Sequence, residues 1–217
     1  MEPTQKPMVI LGAGQHARVV ADLVHALDLH VRGFVAPDTP SGRVGGMPIL
    51  GDEDILEDQA FINAHSFAIA IGQQSARRKS LSQLIGAGAE LPTLIHPTAW
   101  IGGDAAISAA CVVLPGAIIC NSAQVGAGAV INTGAQIDHD GKIDDGVHLC
   151  PGTILAGDVG VGAWTFIGTG TVVSNGIRIG ASCLIGAGSV VVSDIEDGHK
   201  AFGNPCRMQG EISADLF

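Results

Sequence analysis

Val125 to Leu149 reads VGAGAVINTGAQIDHDGKIDDGVHL. An aliphatic residue returns at every sixth position: Val125, Ile131, Ile137, Ile143, Leu149. Followed outward in both directions, the same step runs from Ile95 to Val191 without an insertion, 17 hits in a row. Ile, Leu and Val make up 56 of the 217 residues. A chance run of that length is on the order of one in 10^10, so the repeat is the first feature to explain. Four residues after each aliphatic stands a mostly small one, as at Ala129, Ala135, Gly141 and Thr153. One large and one small inward residue per hexapeptide predicts a triangular parallel β-helix. Six residues make a side, 18 make a coil, and residues 18 apart stack. Glycines serve the corners.

Before Ile95 the pattern is different. Met8–Gly12, His30–Val35 and Phe67–Ile71 read as strands. Gln15–Leu29 and Ser75–Ile85 read as helices, the second capped by Ser75, and Asp52–Gln59 as a short acidic helix capped by Asp52. Pro37–Gly46 is rich in turn residues. Strands alternating with helices predict a small parallel sheet with crossover helices, a Rossmann-like domain over residues 1–94. Residues 95–217 then form the β-helix domain.

Composition narrows the function. The net charge of −10 argues against a nucleic-acid surface. No apolar run reaches membrane-spanning length. Met1–Pro7 is polar and carries no signal-peptide pattern, so a cytoplasmic protein is expected. The five cysteines lack metal or CxxC spacing and read as reduced, buried thiols.

Five stretches carry a resemblance: Ile10-Leu11-Gly12-Ala13-Gly14-Gln15-His16, Ile69-Ala70-Ile71-Gly72-Gln73, Leu94-Ile95-His96-Pro97, Ile131-Asn132-Thr133 through Asp138-His139-Asp140, and Gly203-Asn204-Pro205-Cys206-Arg207. In these the whole chain resembles the bacterial hexapeptide-repeat sugar acyltransferases. That family includes nucleotide-amino-sugar N-acetyltransferases, a GDP-perosamine N-acetyltransferase type among them, and sialic-acid O-acetyltransferases. The resemblance implies a left-handed parallel β-helix, a homotrimer with sites between subunits, acetyl-CoA as co-substrate, and no metal. It also implies a role in surface polysaccharide synthesis. The handedness comes from the resemblance, since the general crossover preference is right-handed.

The site residues follow from the resemblance and from the chemistry. Acetyl transfer to an amine needs a base that works near neutral pH, which suits histidine. His139 is the candidate base. Asp140 matches the family's acidic neighbour that orients it, and Asn132 the asparagine of the sugar site. Asp138 reads equally well as a solvated carboxylate. His148 matches a histidine near the thioester, with a surface histidine as the competing reading. Gly157, one coil after His139, offers an N–H to the thioester carbonyl. Thr169 and Ala187, also 18 apart, are expected to stack along an edge where pantetheine runs. In the first domain Gly12, Gly14 and His16 follow a strand and open a helix, where backbone N–H groups meet phosphate. Gly72 and Gln73 end a strand at the same sheet edge. Asp38 stands near where the family carries acids and is counted with this nucleotide site. Arg18, Arg77 and Arg78 could neutralise phosphate, but solvated helix arginines are the simpler reading. The nucleotide stays open among UDP, GDP and dTDP.

Three other readings are weighed. Sugar O-acetyl transfer uses the same fold and base. A γ-type carbonic anhydrase needs three histidines on zinc. A dinucleotide-binding sensor would use Gly12–Ala17 and leave the long repeat without a role.

Overall fold

The computed structural model describes residues 6–36 and 42–212. The chain divides into two compact units, Met1–Leu94 and Ile95–Phe217.

The first unit runs β1 (Met8–Leu11), α1 (Gln15–Ala26), β2 (Val31–Val35), β3 (Arg43–Val44), β4 (Met47–Gly51), a 3-10 turn at Glu53–Glu57, α2 (Gln59–Ala64), β5 (Ser66–Ile69) and α3 (Gln74–Gly86). The sheet order is β3-β4-β2-β1-β5. The pairs β1–β2, β1–β5 and β2–β4 are parallel, and β3–β4 is antiparallel. All four residues of β1 are buried, as a central parallel strand covered on both faces requires. Helix α1 buries Ala17, Val20, Ala21, Leu23 and Val24.

Local departures from the sequence reading have local causes. Helix α1 ends at Ala26 rather than Leu29, and Asp28 stands at φ 56°, past the helix end. The end of the turn-rich stretch is a hairpin. Gly45 and Gly46 both have positive φ, which suits a tight two-residue turn between β3 and β4. Asp52 caps the 3-10 turn through Asp54 N, and Asp58 then starts α2 by accepting from Ala60 N at 2.8 Å. Ser75 lies inside α3, whose N-cap is Gln73 with no side-chain cap.

The second unit is the parallel β-helix. Its first face stacks Leu94–Ile95, Val112–Val113, Val130–Ile131, His148–Leu149, Phe166–Ile167 and Leu184–Ile185. His199–Phe202 adds a parallel strand, and Arg207–Glu211 closes the edge antiparallel. The second face runs from Trp100–Ile101 to Val190–Val191, and the third from Ala106–Ile107 to Arg178–Ile179. Strand partners are 18 apart: Val130 pairs with Val112 and with His148.

The aliphatic of every hexapeptide is the second, inward residue of its strand. From Val113 to Val191 these side chains are buried; Ile95, Ile101 and Ile107 of the first coil are half-buried. Each full burial is worth about 1.5–3 kcal/mol. Most of the small positions are buried too, with Ala99, Ala105 and Ile177 half-buried, and polar ones among them are satisfied. Thr165 Oγ1 donates to Gly180 O at 2.7 Å, and Thr171 Oγ1 to Gly186 O at 3.2 Å. A hydroxyl fits the corner because the backbone one coil on supplies an acceptor. All five cysteines are free, with Cys111, Cys150, Cys183 and Cys206 buried. Among the described residues, no helix is long and apolar enough to cross a membrane.

Candidate active site

The corner between the second and third faces carries His139. Ile137 ends its strand, and a turn begins before alternation can carry residue 139 inward. Asp138 Oδ1 accepts from the His139 backbone N–H at 2.7 Å and holds the turn. Asp140 completes it at φ 60°. The imidazole therefore points out and is 59% exposed.

Its two nitrogens have different surroundings. Nδ1 lies 2.8 Å from Asp140 Oδ2. With Nδ1–H donating to that carboxylate, Nε2 keeps its lone pair for a substrate proton. Nε2 lies over Gly157, one coil on. A Cβ at position 157 would stand 2.6 Å from both Cε1 and Nε2 of His139 and 3.3 Å from Asn175 Oδ1. Only glycine leaves that place for the ring. The Asp140 hydrogen bond and then the Asp138 charge raise the His139 pKa above its usual value, with smaller contributions from the Asp140 and Asp158 charges. Of the two neighbours, Asp140 holds the ring and Asp138 holds the backbone.

Asn175 was not singled out from the sequence. It stands 36 residues after His139, two coils on, so the stacking rule that finds Gly157 also finds it.

The Gly157 carbonyl accepts from Gly176 N at 3.0 Å, and Asp158 N–H donates to His139 O at 2.9 Å. None of the corner hydrogen bonds among the described residues uses the Gly157 N–H.

Asn132 and His148 form a second cluster, on the first face and the corner that follows it. Asn132 Oδ1 accepts from Thr133 N at 2.8 Å, which fixes the amide. Its Nδ2 then faces His148 Nε2 at 3.3 Å. That contact suits a neutral imidazole protonated on Nδ1. The surface reading of His148 does not hold: the side chain is 6% exposed, with its ring centroid 5.1 Å from that of Phe166. Asn132 and His139 stand at the two ends of the second face, on either side of the strand Gln136–Ile137. Within one chain, then, the Asn132–His148 pair stands a full face away from His139.

Thr169 and Ala187 stack at the corner after the first face, where Gly188 N donates to Thr169 O at 2.8 Å. That is the edge of Asn132, not of Gly157. At the same corner, burial pushes the Cys150 thiol up to about 11, against a hydrogen bond from Thr169 that lowers it. It stays protonated and unreactive at neutral pH.

The residues of the first unit meet in one cleft of about 420 Å³. Gly12, Gly14, His16, Gly72 and Gln73 line it, with Glu53 and Ala76. Gly12 is glycine for a reason internal to the fold: at φ +105° its Cβ would stand 2.7 Å from Ala70 O. At Gly14, the N-cap of α1, a Cβ would meet nothing within 4 Å. There glycine keeps open space in front of a helix N-terminus. Burial, and then the charge of Arg77, lower the His16 pKa. Asp38 lies outside the described residues. Arg18 and Arg78 are exposed, as the sequence suggested, but Arg77 is not solvated: it is 2% exposed.

A larger groove of about 720 Å³ lies on the third face, lined in part by Asp104, Lys142, Asp144 and Asp145. Two of its carboxylates serve the fold. Asp104 accepts from Ser122 N and Oγ, both at 2.9 Å, and Asp145 from Ala127 N at 2.7 Å. Among the described residues, no three His, Cys, Asp or Glu side chains are placed to hold a metal ion.

The first unit matches the family of the PglD N-terminal domain over residues 7–84. Among solved structures, the acetyltransferase domain of PglB from Neisseria gonorrhoeae FA1090 is 33% identical at a TM-score of 0.90, covering 94% of this chain and 100% of that one. The same domain has been solved in complex with acetyl coenzyme A. PerB from Caulobacter crescentus, solved in complex with CoA and GDP-perosamine, is 36% identical at a TM-score of 0.89, covering 94% of this chain and 97% of that one. No curated protein matches the sequence.

Proposed function

This chain belongs to the family of bacterial hexapeptide-repeat nucleotide-amino-sugar N-acetyltransferases, and on that premise we propose that it moves the acetyl group of acetyl-CoA to the amine of a nucleotide-linked 4-amino-4,6-dideoxy sugar, with His139 as general base. The observation that carries the reading is the His139 corner. A carboxylate on Nδ1 sets the tautomer, and Nε2 stands free over a glycine.

The neutral sugar amine attacks the thioester carbonyl and the C–N bond forms. His139 Nε2 takes the proton that the nitrogen sheds. The carbonyl oxygen becomes an oxyanion, to which the Gly157 N–H donates; one such donor is typically worth about 3–4 kcal/mol. The intermediate collapses, the C–S bond breaks, and the imidazolium returns its proton to the CoA sulfur. The nucleotide is held by the cleft at Gly12, Gly14, His16, Gly72 and Gln73. GDP is the nucleotide of the PerB complex and is the first choice among GDP, UDP and dTDP.

Asn132 and His148 join the same site from a second copy of the chain, in a homotrimer. Two observations support this. They stand a face away from His139 within one chain. The second face also exposes Trp100 at 54%, with Ile154 and Val172, as a surface awaiting a subunit does. Acetyl-CoA then lies along the corner of Thr169 and Ala187 of that copy.

Thiol release from acetyl-CoA tests the reading, with UDP-, GDP- and dTDP-linked 4-amino sugars and their 4-hydroxy counterparts. Fast release with an amino sugar, lost in His139→Ala, is expected. Release with the hydroxy sugars alone would make the enzyme an O-acetyltransferase. Mixing inactive His139→Ala and Asn132→Ala chains should restore about a quarter of the activity if each site draws on two subunits.

A further inference from the structure

Helix α3 turns polar side chains inward. Gln74, Arg77 and Ser80 are buried beside Leu81 and Leu84. A helix that only packs fills such a stripe with aliphatics. Ser80 donates to Ala76 O within its own helix at 3.0 Å. Arg77 is a different matter. Its guanidinium keeps its charge in any surroundings, and Nη2 donates to Gln74 Oε1. Taking an ion out of water costs several kcal/mol even after relaxation. Retaining one here calls for a use.

The position of Arg77 suggests that use. Gln73 and Ala76, on the same first turns of α3, line the cleft, and Arg77 follows Ala76 directly in the helix with its side chain buried. It is near enough to His16, another lining residue, for its charge to bear on that ring. The same cleft receives two helix N-termini. Neither α1 nor α3 has an acidic residue in its first turn or a side-chain cap. The 3-10 turn of the same unit has both, with Glu53 and Asp54 in its first turn and Asp52 as cap. Helix N-termini favour negative charge, and neither α1 nor α3 supplies any from its own first turn.

We propose that Arg77 is a positioning residue of this cleft: its buried guanidinium fixes the first turn of α3 through Gln74 and supplies the permanent positive charge behind the wall on which a nucleoside diphosphate rests. The inference depends on the cleft being the nucleotide site. The titratable groups that line the cleft are His16 and Glu53. The Glu53 carboxylate is drawn to Lys79 at 3.7 Å. His16 is kept neutral by burial and by Arg77. The cleft's positive charge therefore comes from a group that does not titrate.

Calorimetric titration of GDP, UDP and dTDP into the full chain tests this, with Arg77→Gln and Arg77→Lys alongside. Arg77→Gln should weaken the best-bound nucleotide roughly tenfold or more. It should raise the nucleotide-sugar KM far more than it lowers kcat, leave the acetyl-CoA KM in place, and move the His16 imidazole titration upward by NMR. Arg77→Lys, which keeps the charge, should recover most of the affinity. Unchanged nucleotide affinity in a folded Arg77→Gln protein overturns the inference and leaves the nucleotide site standing. Failure of the wild type to bind any of the three overturns both. If Arg77→Gln does not fold, the guanidinium 15N resonance of Arg77 in the wild type decides: it should shift on nucleotide saturation, and a resonance that stays put overturns the inference.

Discussion

His16 and His139 stand in the two units of one chain, and their surroundings push them in opposite directions. His139 sits on an exposed corner between carboxylates, and its pKa is raised. His16 sits half-buried at the start of α1, and burial with the Arg77 charge lowers it. Both follow from the same physics, in which a nearby anion favours the imidazolium while burial or a nearby cation disfavours it. The contrast teaches that a histidine's role is set by what faces it. In the proposed mechanism the first serves as proton acceptor, while the second, its pKa lowered, favours the neutral ring.

Four substitutions test the contrast between the two histidines. The largest effect is expected from His139→Ala, which should lower kcat by about 10²–10⁴-fold, read by thiol release. A small effect there would remove the base from the corner. Gly157→Ala comes next. Its methyl would occupy the place of the imidazole, so kcat should fall on the order of 10²-fold through misplacement of the ring, with circular dichroism unchanged. Asp140→Asn should lower kcat about tenfold and move the pH profile. The proposed mechanism uses neutral His139, so on that reading the wild-type rate falls on the acid side of a pKa raised above its usual value. Loss of the Asp140 carboxylate brings that pKa down, and the acid limb should move to lower pH; an unmoved limb would detach Asp140 from the titration. The smallest effect is expected from His16→Gln, a few-fold change in nucleotide-sugar KM. Because the His16 pKa lies below 6.5, its ring stays neutral from there to pH 8. The wild-type KM should then show no inflection of its own over that range. An inflection near 6.5 that vanishes in His16→Gln would make the two histidines alike.

The two units also differ in how much of them the sequence reveals. In the β-helix the inward position of Ile131 or Ile137 is marked by the residue six before and six after it. Stacking at 18 led directly to Gly157 beneath His139. The same arithmetic extended to 36 reaches Asn175. Thr169 and Ala187 stack on each other, but at the corner of Asn132. In the first unit the strands and α1 were legible from apolar runs and spacing. Arg77 was not, because periodicity marks burial only where the buried residues are apolar. A stripe of Gln74, Arg77 and Ser80 reads as a solvated face. His148 was ambiguous for the same reason: nothing local says whether an outward side chain is covered.

The sequence by itself determined the β-helix and its family, since each hexapeptide repeats the same environment and the inward or outward sense of a residue is a local property of the chain. It also determined the chemistry on offer at the His139 corner. Tertiary packing alone brings Nδ1 to Asp140 and Nε2 over Gly157, sets Asn132 against His148 a side away, and buries Arg77 inside the first unit. Those facts depend on distances between side chains of different coils and different helices. Packing sets such distances, and no pattern along the chain records them.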